Sequence, residues 1–308
     1  DKLIDAGVQQ IAVDLRDNPG GVLQSAIEMA DEFLKDDQLI LFQKDRKNKR
    51  KNSYATDEGD FEDKKVFILI NENSASASEV VAGALQDNDK GTIIGRRSFG
   101  KGLVQQEMQL GDGSAVRLTV ARYYTPTGRS IQRPYETGNE DYFNDYMERY
   151  DNGELQDEAN IETNDSLRFV TPGGNVVYGG GGIIPDVFVA APKSFEKQTL
   201  HYFARTGYAD RMANDYLRNE GAYLRNMGKK EFMEKYQIPE TLLLDFYQDI
   251  RRSSVNSSMM LTGNRRYMKL LLKASLAEQL YGTELKIKLL NTQDRVIDRL
   301  LELSRDSN

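Results

Sequence analysis

The run Val66-Phe67-Ile68-Leu69-Ile70-Asn71 reads as a buried strand, and it passes into the serine-rich turn Asn73-Ser74-Ala75-Ser76-Ala77-Ser78-Glu79, from which a helical pattern departs. A strand with no polar face belongs inside a layered sheet, so the turn that follows stands on a strand-to-helix corner facing a cleft. Such corners are where α/β enzymes keep nucleophiles.

The same alternation continues on both sides of that corner. Gln10–Leu15 reads as a strand, and residues 22–34 as a helix with Leu23, Ala26, Ile27, Ala30 and Phe33 on one face. Strands follow near Leu39–Gln43 and Thr92–Gly95, with a helix from Ser76 to about Gln86. From residue 8 to about 133 this pattern predicts a layered α/β fold with parallel pairings. Residues 1–8 look like the end of a helix closed by Gly7, as in a fragment of a longer chain whose upstream part would hold any export signal. The basic stretch Lys44–Lys51 and the acidic stretch Asp57–Asp63 are expected to form a solvated hairpin or flap.

Beyond Lys101 the period changes to two. Leu103–Leu110, Gly111-Asp112-Gly113 and Ala115–Tyr124 predict a β-hairpin. If its first strand begins at the glycine pair around Lys101, then Lys101 and Gln105 share a face. The acidic, tyrosine-rich segment of about 134–165 reads as an extended surface insertion, and Gly179–Gly182 as flexible punctuation without the Lys-Ser/Thr of a phosphate loop. From Pro192 onward helical periodicity takes over, in Leu242–Arg251, Met268–Tyr281 and Leu285–Leu303. The expected division is a core of residues 1–194 and an all-helical domain of residues 195–308.

Composition closes several routes. A net charge of -7 argues against nucleic acid as the main partner, because phosphate binding needs clustered cations. There is no cysteine, hence no thiolate chemistry, and no apolar run of spanning length. The single histidine, His201, falls in a helical stretch with no second ligand beside it, so it is read as surface or packing rather than metal site or catalytic base.

A serine enzyme built here therefore needs another base, and Phe99-Gly100-Lys101-Gly102 offers one. A lysine serves as base only when neutral, which a tight, partly apolar turn favours by desolvation. Gln105 would orient the amine without adding a charge that keeps it protonated. Oxyanion donors are available at the backbone of Ala77, at the helix N-terminus, and in Asn18-Pro19-Gly20-Gly21, where glycine permits close approach. Each feature also has a bland reading: Ser76 and Glu79 make a capping box, and the two glycine-bearing segments are ordinary turns.

In this order and spacing, however, the segments Asp14–Gly21, Asn71–Glu79, Gly95–Gly102, Tyr124–Gln132 and Gly182–Val187 resemble the carboxyl-terminal processing peptidases, or tail-specific proteases, over residues 8 to about 190. The resemblance implies a fold like the ClpP and crotonase cores and a serine endopeptidase acting near protein C-termini. Among the three serines it selects Ser76 as nucleophile, with Lys101 as general base, Gln105 orienting it, and Ala77 with Gly20 or Gly21 as oxyanion donors. It implies no cofactor, protein or peptide substrates with apolar C-termini, and a periplasmic or cell-envelope setting. Such peptidases usually carry a PDZ domain ahead of the Asp-Leu-Arg strand, which this sequence does not show; helical extensions in the family serve homodimer or adaptor contacts. Two other readings stand beside it: a non-catalytic binding or scaffold module on the same fold, and a crotonase-like acyl-CoA enzyme.

Overall fold

The computed structural model describes residues 2–134, 139–192, 207–252 and 265–306; His201 lies outside them. The chain divides into two compact units, Asp1–Ala190 with Arg299–Asn308, and Ala191–Asp298.

The first unit is mixed α/β and is built on two four-stranded sheets. After a short helix α1 (Lys2–Asp5), strands β1 (Gln10–Asp14), β4 (Lys65–Ile70), β5 (Gly91–Gly95) and β10 (Val187–Phe188) form a parallel sheet in the order β1-β4-β5-β10. Central β4 explains the apolar run: Val66 to Ile70 are each 2% exposed or less. Helices α2 (Leu23–Asp31) and α3 (Ala77–Asp87) pack on each other, joining Ala26, Ala30, Val80, Val81 and Leu85 to the strand core.

The second sheet, in the order β3-β2-β7-β6, is antiparallel and comprises β2 (Leu39–Asp45), β3 (Arg50–Tyr54), β6 (Leu103–Gln109) and β7 (Ala115–Tyr124). The sequence reading placed β2 with the parallel strands. Its buried Ile40-Leu41-Phe42 run looks like a central parallel strand, but Phe42 stacks on Tyr124 of β7 with ring centroids 5.0 Å apart. The basic stretch does form a hairpin, and Arg46 to Lys51 lie exposed around its turn.

Two further expectations change. The insertion is not extended: helix α4 (Asn139–Asp151) runs through it, and Arg149, Glu154 and Leu155 are buried. Its side-chain anchors are arginine, glutamate and tyrosine, which aliphatic periodicity does not register. Gly179–Gly182 is packed rather than loose. The Gly180 and Gly182 amides bond to the Ser130 and Ile131 carbonyls (2.6 and 2.8 Å), and a Cβ at Gly182 would lie 2.5 Å from the Ser98 oxygen. A two-stranded hairpin, β8 (Arg168–Val170) and β9 (Val176–Tyr178), leads into this run.

In the second unit every described element is helical: α5 (Tyr208–Asn219), α6 (Lys229–Lys235), α7 (Glu240–Arg252), α8 (Arg265–Tyr281), α9 (Thr283–Leu290) and the start of α10 (Arg295–Arg305), with short 3-10 turns between. They enclose Leu224, Phe232, Leu243, Phe246, Leu272 and Leu276. The Lys273 ammonium donates to the Met233 and Tyr236 carbonyls at the end of α6 (2.9 and 2.7 Å). The stretch read as one helix over Leu285–Leu303 breaks at Asn291–Gln293, and Asp294 accepts the Val296 amide to start α10. Among the described residues no helix is long and apolar enough to cross a membrane.

Candidate active site

The buried strand β4 delivers the serine turn, and the structure separates its three hydroxyls. Ser74 is fully buried, its Oγ donating to the Leu15 carbonyl (2.7 Å) and accepting from the Asn71 amide (2.9 Å). The Ser78 hydroxyl donates to the Asn18 carbonyl (3.1 Å). Both are tied down to the segment that follows β1. Ser76 is partly exposed and lines a cavity of about 530 Å³.

Ser76 adopts φ 56° and ψ -115°, a conformation that a residue with a Cβ rarely takes. The surroundings hold it there by main-chain hydrogen bonds. Its amide donates to Glu79 Oε2 (2.8 Å) and its carbonyl accepts from the Glu79 amide (2.9 Å) and the Val80 amide (3.0 Å). Glu79 thus supplies the carboxylate half of a capping box, while the Ser76 hydroxyl makes no cap hydrogen bond. A strained serine on a sharp strand-to-helix turn presents its hydroxyl outward.

Lys101 lines the same cavity and is partly buried. Its loop is organised by the same carboxylate as Ser76. Glu79, 0% exposed, accepts from the Lys101 amide on Oε2 (2.8 Å) and from the Gly100 amide (2.7 Å) and the Ser98 hydroxyl (2.5 Å) on Oε1. Burial pushes the Glu79 carboxyl above its ordinary value, opposed by the Ser98 hydroxyl and the three amides. Tyr123 supplies a second link: its hydroxyl lies 3.1 Å from the Ser76 carbonyl and 2.5 Å from the Lys101 carbonyl. Among the described residues the Lys101 ammonium has no carboxylate partner within ion-pair distance.

The donors proposed for an oxyanion separate as well. A Cβ at Gly20 would lie 2.5 Å from the Ala75 oxygen and 2.7 Å from the Ala77 nitrogen, so only glycine can sit against this turn. The Gly20 amide is engaged by Asn18 Oδ1 at 2.9 Å. Among the described residues the Gly21 and Ala77 amides make no hydrogen bond, and both residues line the cavity.

Gln105 reaches the cavity wall, but the expected pairing with Lys101 is absent: no hydrogen bond joins them, and Gln105 is exposed. The strand begins at Leu103, after Lys101, and pairing jumps from Val104↔Ala121 to Gln105↔Thr119, leaving Val120 unmatched. Lys101 and Gln105 nonetheless line the same cavity. The apolar side chains of Val22, Leu23, Val80, Leu103 and Val104 line it beside the charged Glu107 and Arg117. No group of three His, Cys, Asp or Glu side chains among the described residues could hold a metal ion.

Sequence reasoning missed two organisers, Glu79 beyond its capping role and Tyr123. An acidic residue flanked by Ser78 and Val80 in an otherwise apolar helix was the available signal for the first. Tyr123 carried none, because an aromatic in a strand is ordinary packing.

Ser76, Lys101 and the Gly21 and Ala77 amides thus line one cavity. Residues 1–138 match the model of peptidase family S41. A second model, of a family of unknown function, matches residues 199–282. The carboxy-terminal-processing protease of Bartonella bacilliformis is 50% identical over 121 residues, 39% of this chain and 28% of that protein. The carboxyl-terminal-processing protease of Synechocystis sp. is 39% identical over 132 residues, 43% of this chain and 30% of that protein. The chain thus spans less than a third of the length of these two relatives. Among solved structures, a photosystem II D1 C-terminal processing protease is 29% identical and covers 61% of this chain and 36% of its own, with a TM-score of 0.43.

Proposed function

We propose that this chain carries the catalytic core of a serine endopeptidase that cleaves near protein C-termini, with Ser76 as nucleophile and Lys101 as general base. The observation that carries the reading is that one buried carboxylate, Glu79, holds the backbones of both residues at the rim of one cavity. Neutral Lys101 accepts the Ser76 proton as Oγ attacks the peptide carbonyl, and a tetrahedral oxyanion forms. The Ala77 and Gly21 amides receive that oxyanion, Gly21 in preference to Gly20, whose amide Asn18 already engages. The lysine then passes its proton to the leaving amine. Water, deprotonated by Lys101, hydrolyses the acyl-enzyme and frees Ser76. Gln105 assists from the wall of the cavity, and no cofactor takes part.

The apolar residues Val22, Leu23, Val80, Leu103 and Val104 of the lining suit substrates with apolar C-terminal residues. We extend the reading to a ClpP/crotonase-like arrangement of residues 1–194, a separate helical domain of residues 195–308 used for homodimer or adaptor contacts, and a periplasmic or cell-envelope setting. The test is cleavage of unfolded casein by the full chain. Turnover that disappears in both Ser76→Ala and Lys101→Ala supports the reading. Turnover retained in either variant excludes it, and a bound CoA would favour the acyl-CoA alternative.

A further inference from the structure

One element outside the S41-matched segment is bonded to the Ser76 turn and to the Lys101 loop. Helix α4 begins at Asn139, one residue past that match. The Tyr146 hydroxyl donates to Asn73 Oδ1 (2.6 Å), three residues before Ser76. Asn73 Nδ2 in turn donates to Asp17 Oδ1 (2.6 Å), at the head of the Asn18–Gly21 segment. The Tyr146 ring lies 5.3 Å from that of Phe99. One turn further along α4, Arg149 is 1% exposed and donates from Nη1 to the Ser98 carbonyl (2.7 Å) and from Nη2 to the Gly181 carbonyl (3.1 Å). Just past the helix, Glu154 pairs with Arg97 through both carboxylate oxygens.

We infer that α4 is a positioning strap for the active site, in which Tyr146 and Arg149 fix the relative placement of the Ser76 turn and the Lys101 loop. This rests on the peptidase reading above. Neither residue lines the cavity, so neither meets substrate; they act through Asn73 and Ser98. The physical reason for such a strap is the conformation of Ser76. A serine at φ 56° keeps that geometry only if its surroundings over-determine it. Glu79 fixes the two backbones from the core side, and α4 holds the same loops from outside. Small displacements of a nucleophile from its base lower the chemical step steeply while binding is spared.

The test compares the full chain with Tyr146→Phe, Arg149→Met and Arg149→Lys, using a peptide substrate and amide hydrogen exchange. Tyr146→Phe removes only a hydroxyl, so it guards against a fold lost with Arg149. The expected result is a kcat lower by about tenfold in Tyr146→Phe and by more in Arg149→Met, with KM within about twofold of wild type. Arg149→Lys, which keeps a donor for Ser98, recovers part of the loss. Exchange should rise at residues 73–77 and 97–102 and stay unchanged on β1 and β4. A kcat within about twofold of wild type in both Tyr146→Phe and Arg149→Met overturns the inference, as does exchange that rises uniformly across the unit. If wild type and Ser76→Ala show equal turnover, the peptidase reading itself fails, and exchange alone then decides whether α4 holds these loops.

Discussion

The two sheets of the first unit contribute opposite walls to the candidate site, and they are built differently. The parallel sheet supplies Ser76 from the end of β4, whose residues Val66–Ile70 are buried and whose following turn is tied down through the Ser74 hydroxyl and the Ser76 amide. The antiparallel sheet supplies Gln105, Glu107 and Arg117 from β6 and β7, which are exposed along most of their length. The Arg117–Glu107 pair bridges these strands at 2.8 Å with both side chains largely in solvent. Reactive geometry is thus held by the buried wall, while the exposed wall is free to adapt to what enters. An exposed ion pair of this kind contributes little to stability.

The sharpest way to break that contrast is Glu79→Gln. Each Glu79 oxygen accepts two hydrogen bonds. An amide keeps only one acceptor oxygen, so either the Ser76 and Lys101 amides or their Ser98 and Gly100 counterparts face a donor. The expected loss is about 100-fold or more in kcat, read by peptide hydrolysis with a circular-dichroism check that the fold persists.

Stability should divide along the same line. Ile68→Ala, in the fully buried β4, is expected to cost about 3 kcal/mol in urea unfolding. Leu118→Ala, on the exposed β7, should cost about 0.5 kcal/mol or less. Equal costs would erase the distinction between the walls.

Gln105→Ala sharpens the comparison for activity. Gln105 makes no hydrogen bond to Lys101 and carries no proton transfer in the proposed mechanism, so weak activity, lower by about tenfold, should remain.

A pH-dependent effect concerns the far end of α3. Asp89 is partly desolvated, which raises its pKa, but bonds from Thr171, Asn175 and the Gly173 amide outweigh this and lower it below 3.8. A carboxylate depressed in the folded state adds stability that is fully present above the unfolded value and is lost as pH falls through the folded one. Melting followed from pH 6 to pH 2 should therefore show an acid-side loss that is smaller in Asp89→Asn, which at neutral pH is itself less stable by about 1 kcal/mol.

Legibility in the sequence followed the same contrast. β4, α2, α3 and the β6–β7 hairpin could be read because burial and period leave a plain mark in residue type. Sheet membership of β2 could not, since a buried apolar run fits a parallel or an antiparallel partner equally well. Whether Gln105 hydrogen-bonds Lys101 could not be read, because β6 begins only at Leu103 and strand alternation does not fix the reach of a lysine in the loop before it. In the site, Ser76, Lys101, Ala77, Gly20, Gly21 and Gln105 could each be named, and all six line one cavity. What held them could not be read: Glu79 reaches 22 residues along the chain to Lys101, Tyr123 reaches 47 back to Ser76, and α4 joins by arginine and tyrosine rather than aliphatic contacts.

The central claim is that Ser76 attacks and Lys101 takes its proton. The measurement that tests it most directly is kcat/KM for the full chain on a peptide with an apolar C-terminus, beside Ser76→Ala and Lys101→Ala. The account predicts a loss of about 10⁴-fold or more in both variants. A Lys101→Ala protein that keeps wild-type turnover would contradict it.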